Sequence, residues 1–176
     1  NADPSYFYDV TVLQRNISWD KQERMRGFFK QFPNMNLRFT NVDRELAGYE
    51  LFKKYDCATC HVGEILGGQS YELIGVQHDY FADRATEMTE EDNGRFKQTK
   101  IERDRHRFKV PGLRNVELTY PYFHDGSMKT MDDAVRAMAK YQLGIDLPQQ
   151  EVDKIVSFLR TLTGQYKGQT LTNKNM

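Results

Sequence analysis

The chain carries two cysteines, Cys57 and Cys60, and a histidine, His61, follows the second directly. Cys-x-x-Cys-His is the attachment signature of c-type haem. Each thiol adds to one vinyl group of the porphyrin, and two intervening residues let both sulfurs meet the vinyls on one side of the ring. The adjacent histidine then comes under the iron as its proximal ligand. Competing chemistries fit less well. A redox Cys-x-x-Cys wants a βαβ pattern around it, and none is visible. A structural zinc site wants a second ligand pair at finger spacing, which is missing. A plain disulfide leaves His61 without a role.

An iron held from below needs a group on its far face, well downstream, so that the chain can wrap the ring. Among seven methionines and four histidines, Met128, Met131 and Met138 are candidates by position. A thioether ligand favours the ferrous state relative to a second histidine. Met131 and Met138 share a helix face, where core packing is the default role. His78 and His106 are further candidates, although exposed polar histidines of this kind are common. Spacing alone does not choose among these residues.

The flanking elements must position this chemistry. Ser18 or Asp20 caps a helix running to about Phe32, ended by Pro33. Thr40 or Asn41 starts a second helix, with Asp43 in its first turn. Val42, Leu46, Tyr49, Phe52 and Tyr55 give it one apolar face, and it is expected to run directly into Cys57. Gly48 interrupts that helix at a cost of about 1 kcal/mol relative to alanine, which points to a second backbone crossing closely. Residues 62–110 have little periodicity. Gly63, Gly67 and Gly68 mark turns, and Glu87 to Arg107 reads as a solvated loop. Thr130 and Asp133 form a capping box for a helix carrying Met131, Ala134, Val135 and Met138, ended by Gly144. Pro148 suits the start of the last helix, whose face is Val152, Ile155, Val156, Leu159 and Leu162. The expected fold is all-α: an N-terminal arm and short helix over 1–40, a haem domain with long loops over 41–164, and a loose polar tail over 165–176. Gly48 lets the helix before the motif cross the last one, with Phe52 against Leu159 or Phe158. That arrangement resembles the class I cytochrome c fold.

Composition limits the partners. Basic and acidic residues balance at 25 each, so there is no nucleic-acid or membrane-surface footprint. No apolar run reaches the ~20 residues of a membrane span. Hydrophobic residues make up 39% of the chain, a lean core that the apolar face of a haem would supplement. Asn1-Ala2-Asp3-Pro4 is compatible with a mature terminus after cleavage. Haem attachment to such motifs occurs outside the cytoplasm, so the expected location is the periplasm or another exported compartment. The aromatic arm with Tyr6, Phe7, Tyr8 and Trp19 is expected to pack on the domain or on a partner.

Several further blocks fall in a recognisable order. They are Gly48-Tyr49-Glu50-Leu51-Phe52, the haem motif, Gly67-Gly68, Asn93-Gly94-Arg95, Phe108-Lys109-Val110-Pro111 and Leu113-Arg114-Asn115-Val116. Tyr122-Phe123-His124-Asp125-Gly126-Ser127, Ala134-Val135, Gln142-Leu143-Gly144 and Ile155 to Gly164 follow. Over about residues 43–164 this resembles the C-terminal, electron-transferring domain of the bacterial dihaem cytochrome c peroxidase family. The resemblance implies that Met138 is the far-side ligand of a high-potential haem and His61 the proximal one. It implies that the backbone carbonyls of Thr119 and Pro121 help bind a calcium ion between two domains, with a third contact from the other domain. It gives His124 a structural hydrogen-bonding role near the haem. Family members carry two Cys-x-x-Cys-His motifs, the first on the peroxide-cleaving haem, whereas this chain has one cysteine pair.

The expected function is therefore one-electron transfer through one covalent haem c with His61 and Met138 as axial ligands, fed by a small redox protein. The alternative is a part of a peroxidase or other dihaem oxidoreductase whose catalytic haem lies in a second domain or chain. A relay subunit in a multi-chain assembly is a third reading, motivated by the aromatic arm and polar tail.

Overall fold

The computed structural model of the chain describes residues 41–167 and 169–173, together with Asp20, Glu23, Arg24, Gly27, Lys30 and Gln31. Those six early residues are each helical, in the stretch where a helix from Ser18 or Asp20 to Phe32 is expected. The aromatic arm up to Trp19 lies outside the described residues.

Helix α1 spans Val42–Lys54. Asn41, not Thr40, caps it: its side-chain oxygen accepts from the Arg44 N–H. Val42, Leu46, Tyr49 and Phe52 are buried along one face. The helix does not run into the cysteine motif. It stops at Lys54, and Asp56 takes a left-handed conformation with φ 54°, which a short polar side chain tolerates. That residue redirects the chain into a separate single turn, α2, Cys57–Cys60.

The last helix, Gln149–Thr161, is the other half of the core. Pro148 stands at its N-cap, and Val152, Ile155, Val156, Phe158 and Leu159 are all buried. It crosses α1 at Gly48, where a Cβ would lie 1.9 Å from the Lys154 carbonyl oxygen. Only glycine fits there, which accounts for a helix-weakening residue in mid-helix. Above the crossing, Phe158 packs against both Tyr49 and Phe52, with ring centroids 5.3 Å apart in each pair.

Between these helices the chain makes short pieces. Strand β1, Tyr71–Leu73, pairs antiparallel with β2, Arg107–Lys109. Helix α3 is Tyr80–Asp83, α4 is Phe96–Thr99, and α5 is Met131–Met138; the last helix is then α6. The Thr130–Asp133 capping box of α5 is formed on both sides. Past Met138 the helix widens into a π turn, Ala139–Leu143, closed by Gly144 at φ 71°. Strand β3, Gln165–Tyr166, pairs with β4, Gln169–Thr170.

The all-α expectation therefore holds for the helical core and fails at its margins. Two short two-stranded sheets are present. Strands of two or three residues are too short to display an alternating pattern. Beyond α6, Gln165–Tyr166 and Gln169–Thr170 pair antiparallel, and the Leu171 N–H donates to the Gly164 carbonyl.

Candidate haem site

Cys57 and Cys60 occupy the first and last positions of α2, three residues apart and so on the same side of the turn. Both are free thiols. Burial pushes the Cys57 thiol up to about 11, and Cys60 is raised by the same cause.

The His61 N–H closes the turn on the Cys57 carbonyl at 3.0 Å. The imidazole is oriented by its own hydrogen bond, Nδ1–H to the Leu66 carbonyl oxygen at 3.1 Å. Burial, offset in part by hydrogen bonds to the Leu66 and Pro111 carbonyls, lowers the pKa of His61 and keeps the ring neutral. With the proton fixed on Nδ1, the lone pair of Nε2 is left for a metal. Leu66 can serve because the chain turns sharply behind it. Leu66 and Gly67 both take positive φ, and a Cβ on Gly67 would sit 2.1 Å from the Pro111 carbonyl oxygen. The Gly67-Gly68 and Val110-Pro111 blocks thus form the wall behind the histidine.

The residues present fit a covalently attached haem. Two unpaired thiols share one turn, and the adjacent neutral imidazole has its outer nitrogen anchored. No zinc-like alternative emerges: among the described residues no cluster of three or more His, Cys, Asp or Glu is placed to hold a metal ion.

The other expected residues sit elsewhere. Met138 ends α5 and is half-buried. The helix it ends, α5, packs on α6, which in turn packs on α1, the helix before the motif. Met131 is 7% exposed and belongs to the main core cluster, and Met128 holds the Tyr122 N–H with its backbone carbonyl. His78 is exposed, whereas His106 donates from Nδ1 to the Asp92 carbonyl at 2.7 Å. Thr119 and Pro121 are exposed on the segment that follows the 3-10 turn Val116–Leu118.

One group was missed at the level of sequence. Asp92, in the stretch read as a solvated loop, is completely buried. Its carboxylate accepts from Arg84 Nη1 and Nη2 at 2.7 and 2.5 Å, from His124 Nε2 at 2.7 Å and from the Thr89 N–H at 2.6 Å. The Arg84 guanidinium, first among these, holds the Asp92 carboxyl far below the usual carboxylate range. Arg84 also reaches Asp125, which takes the Tyr80 hydroxyl proton at 2.6 Å. This gives His124 the structural hydrogen-bonding role expected of it, with its ring stacked 4.1 Å from Phe108. The available signal was Thr89-x-x-Asp92, a capping spacing inside a charged run.

The Leu-Arg-Asn-Val block is structural too. Asn115, at φ 62°, donates its N–H to the Leu162 carbonyl and accepts the Gly164 N–H on its side-chain oxygen. It thereby fastens the end of α6.

Among the described residues no helix is long and apolar enough to cross a membrane. Comparison with known proteins agrees with the geometry. The chain is 55% identical over 119 residues to a cytochrome c peroxidase of Escherichia coli, covering 68% of this chain and 25% of that protein. It is 49% identical over 120 residues to the cytochrome c551 peroxidase of Nitrosomonas europaea, covering 68% and 34%. The chain thus spans a quarter to a third of the length of these relatives. In fold it matches a crystal structure of a MauG-like protein associated with microbial copper homeostasis, with TM-score 0.60 and 24% identity, over 81% of this chain and 48% of the other. The cytochrome c family model matches residues 46–163, and such a domain implies covalently bound haem c. On that match, which takes in the thiol pair, His61 and both crossing helices, the chain belongs to the cytochrome c family.

Proposed function

We propose that this chain is a one-electron carrier, the electron-entry domain of a cytochrome c peroxidase-like protein. The observation that carries the reading is the arrangement at Cys57–His61: two free thiols on one turn and an imidazole whose Nδ1 is tied to Leu66. Cys57 and Cys60 would tether the ring, and His61 Nε2 and Met138 would hold the iron. The haem supplies reversible one-electron chemistry when bound. With His61 and Met138 both on the iron, the site would pass electrons and would leave no place for peroxide. Residues 41–164 form the haem domain, preceded by the arm of 1–40. The donor is a small redox protein, and the location is the periplasm or another exported compartment. Thr119 and Pro121 offer backbone carbonyls to a calcium ion completed by a second domain.

The test combines intact mass with visible spectra of both oxidation states. One haem's added mass on the denatured chain and a sulfur-to-iron charge-transfer band in the ferric form are the expected results. Two haems, or a ferric spectrum without that band, would reject the carrier reading.

A second reading has one specific support: the relatives are peroxidases, and the chain spans only part of their length. On that reading the chain passes electrons to a peroxide-cleaving haem in another domain or chain. Peroxide turnover by this chain alone would contradict closed His61/Met138 ligation. Turnover only after a second haem-bearing chain is added would establish the relay.

A further inference from the structure

Three successive residues beginning two positions after Met138, Lys140, Tyr141 and Gln142, all reach the same distant segment. Lys140 Nζ donates to Asp83 Oδ2 at 2.6 Å. The Tyr141 carbonyl accepts the Gln77 N–H at 2.9 Å, and its ring packs edge-on to Tyr80 with centroids 5.1 Å apart. Gln142 makes two bonds at once: Oε1 accepts the Val76 N–H at 3.2 Å, and Nε2 donates to the Leu73 carbonyl at 3.0 Å. The side-chain amide thus pairs with backbone on both sides of a turn, as a strand edge would.

Residues 73–84 therefore form a strap over the π turn, and the strap is fastened at both ends. At its start, β1 pairs with β2, and the Ile74 N–H donates to the His106 carbonyl at 3.1 Å. At its end, the Tyr80 hydroxyl meets Asp125 and Ser127 at 2.6 and 2.7 Å, and Arg84 is locked on Asp92. The strapped turn is a π turn, a widened register that α-helical hydrogen bonding alone does not favour and that recurs at functional sites. Gly144 closes it at φ 71°, where a Cβ would be 3.3 Å from Gln77 Cβ. Ala139, next to Met138, is 2% exposed, so the start of the widened turn is pressed into the core.

We propose that Gln142 is a positioning residue for Met138: its paired hydrogen bonds to Leu73 and Val76 hold the π turn closed and so fix where the methionine presents its sulfur. The proposal rests on Met138 being the far-side ligand. A thioether on a flexible, unbranched side chain is a weak ligand that depends on a fixed backbone. The capping box at Thr130 holds the start of α5, and the strap holds its end. This also gives a role to the Gln142-Leu143-Gly144 block, which the chemistry of the motif leaves unused. Lys140–Asp83 contributes less, because both side chains are more than 40% exposed.

The test uses the haem-loaded chain and three readouts: the ferric sulfur-to-iron band, the affinity of added imidazole for the iron, and amide hydrogen exchange at Val76 and Gln77. In Gln142→Ala the band weakens, imidazole binds about tenfold more tightly, as expected when one or two net hydrogen bonds no longer hold the competent state, and both amides exchange faster. Gln142→Glu keeps the acceptor for Val76 and loses the donor to Leu73, so it falls between wild type and Gln142→Ala; being near-isosteric, it serves if the alanine variant does not fold. A band, imidazole affinity and exchange within twofold of wild type in both variants would overturn the positioning role while leaving the Met138 assignment intact. A wild-type spectrum without the band, unchanged in Met138→Ala, would overturn the ligand assignment and the positioning role with it.

Discussion

The two faces of the proposed haem site are built in opposite ways. The near face is contiguous. Cys57, Cys60 and His61 lie on one turn, and the carbonyl that orients the imidazole belongs to Leu66, five residues on. The far face is assembled. Met138 stands at the end of α5, but the segment fixing the turn beyond it is 73–84, and that segment depends on Asp92, His124 and Asp125. A local site needs little more than its own turn to have the right shape. An assembled site inherits the stability of everything that converges on it. The near face should therefore survive damage that disorders the far one.

The largest effect separates the faces by removing the tether. Replacing both Cys57 and Cys60 with alanine should abolish covalent haem completely, read as the loss of one haem's mass from the denatured chain. Covalent haem persisting in that variant would show that the near face is not what holds it.

Next comes the centre of the assembled side. Asp92→Asn leaves Arg84, itself 9% exposed, without its buried counter-charge, and breaking such a pair costs about 3–5 kcal/mol. Amides of 73–106 should lose exchange protection, while those of α1 and α6 keep theirs and the haem stays attached. The same carboxylate sets an acid response. Its folded pKa lies below its unfolded value, so its contribution is fully present above the unfolded range near pH 4 and is lost as pH falls toward the folded one. Asp125, lowered to about 2 through its Tyr80, Ser127 and Arg84 hydrogen bonds against the opposing effect of burial, adds to the same loss. Thermal midpoints measured from pH 5 down to pH 2 should fall steeply in wild type and less steeply in Asp92→Asn. Parallel curves would remove Asp92 from that role.

Gly48→Ala probes the reverse case, the scaffold under the near face. The added Cβ meets the Lys154 carbonyl, and forcing α1 and α6 apart should cost about 1–3 kcal/mol by denaturant unfolding, as overpacking does elsewhere. Unchanged stability would mean the crossing is looser than the structure gives. The smallest effect belongs to Lys140→Ala. It removes an exposed ion pair from the strap and should leave both the thermal midpoint and the ferric spectrum unchanged. A clear spectral change would shift the main positioning role from Gln142 to Lys140.

What the amino-acid order determined by itself is the part of the molecule encoded over short spans. The haem motif is five residues. A cap at Thr40 or Asn41, the Thr130–Asp133 box and the apolar stripes of α1 and α6 are each contained within a turn or two or repeat along one helix. Gly48 announced a close crossing because glycine in a helix is costly unless a neighbour needs the space, and Lys154 is that neighbour. Tertiary structure alone decided the rest. Asp92 sits in a run of charges whose composition says solvent, and only the convergence of Arg84, His124 and Thr89 turns it into a buried centre. Gln142 reads as an ordinary polar residue until a strand 69 positions earlier is laid beside it. The physical reason is the same in both cases. A helix pattern or a cap is satisfied by neighbours in sequence, whereas the buried Asp92 also needs His124, 32 positions on, and the Gln142 clasp needs Leu73, 69 positions back, and only folding brings these together.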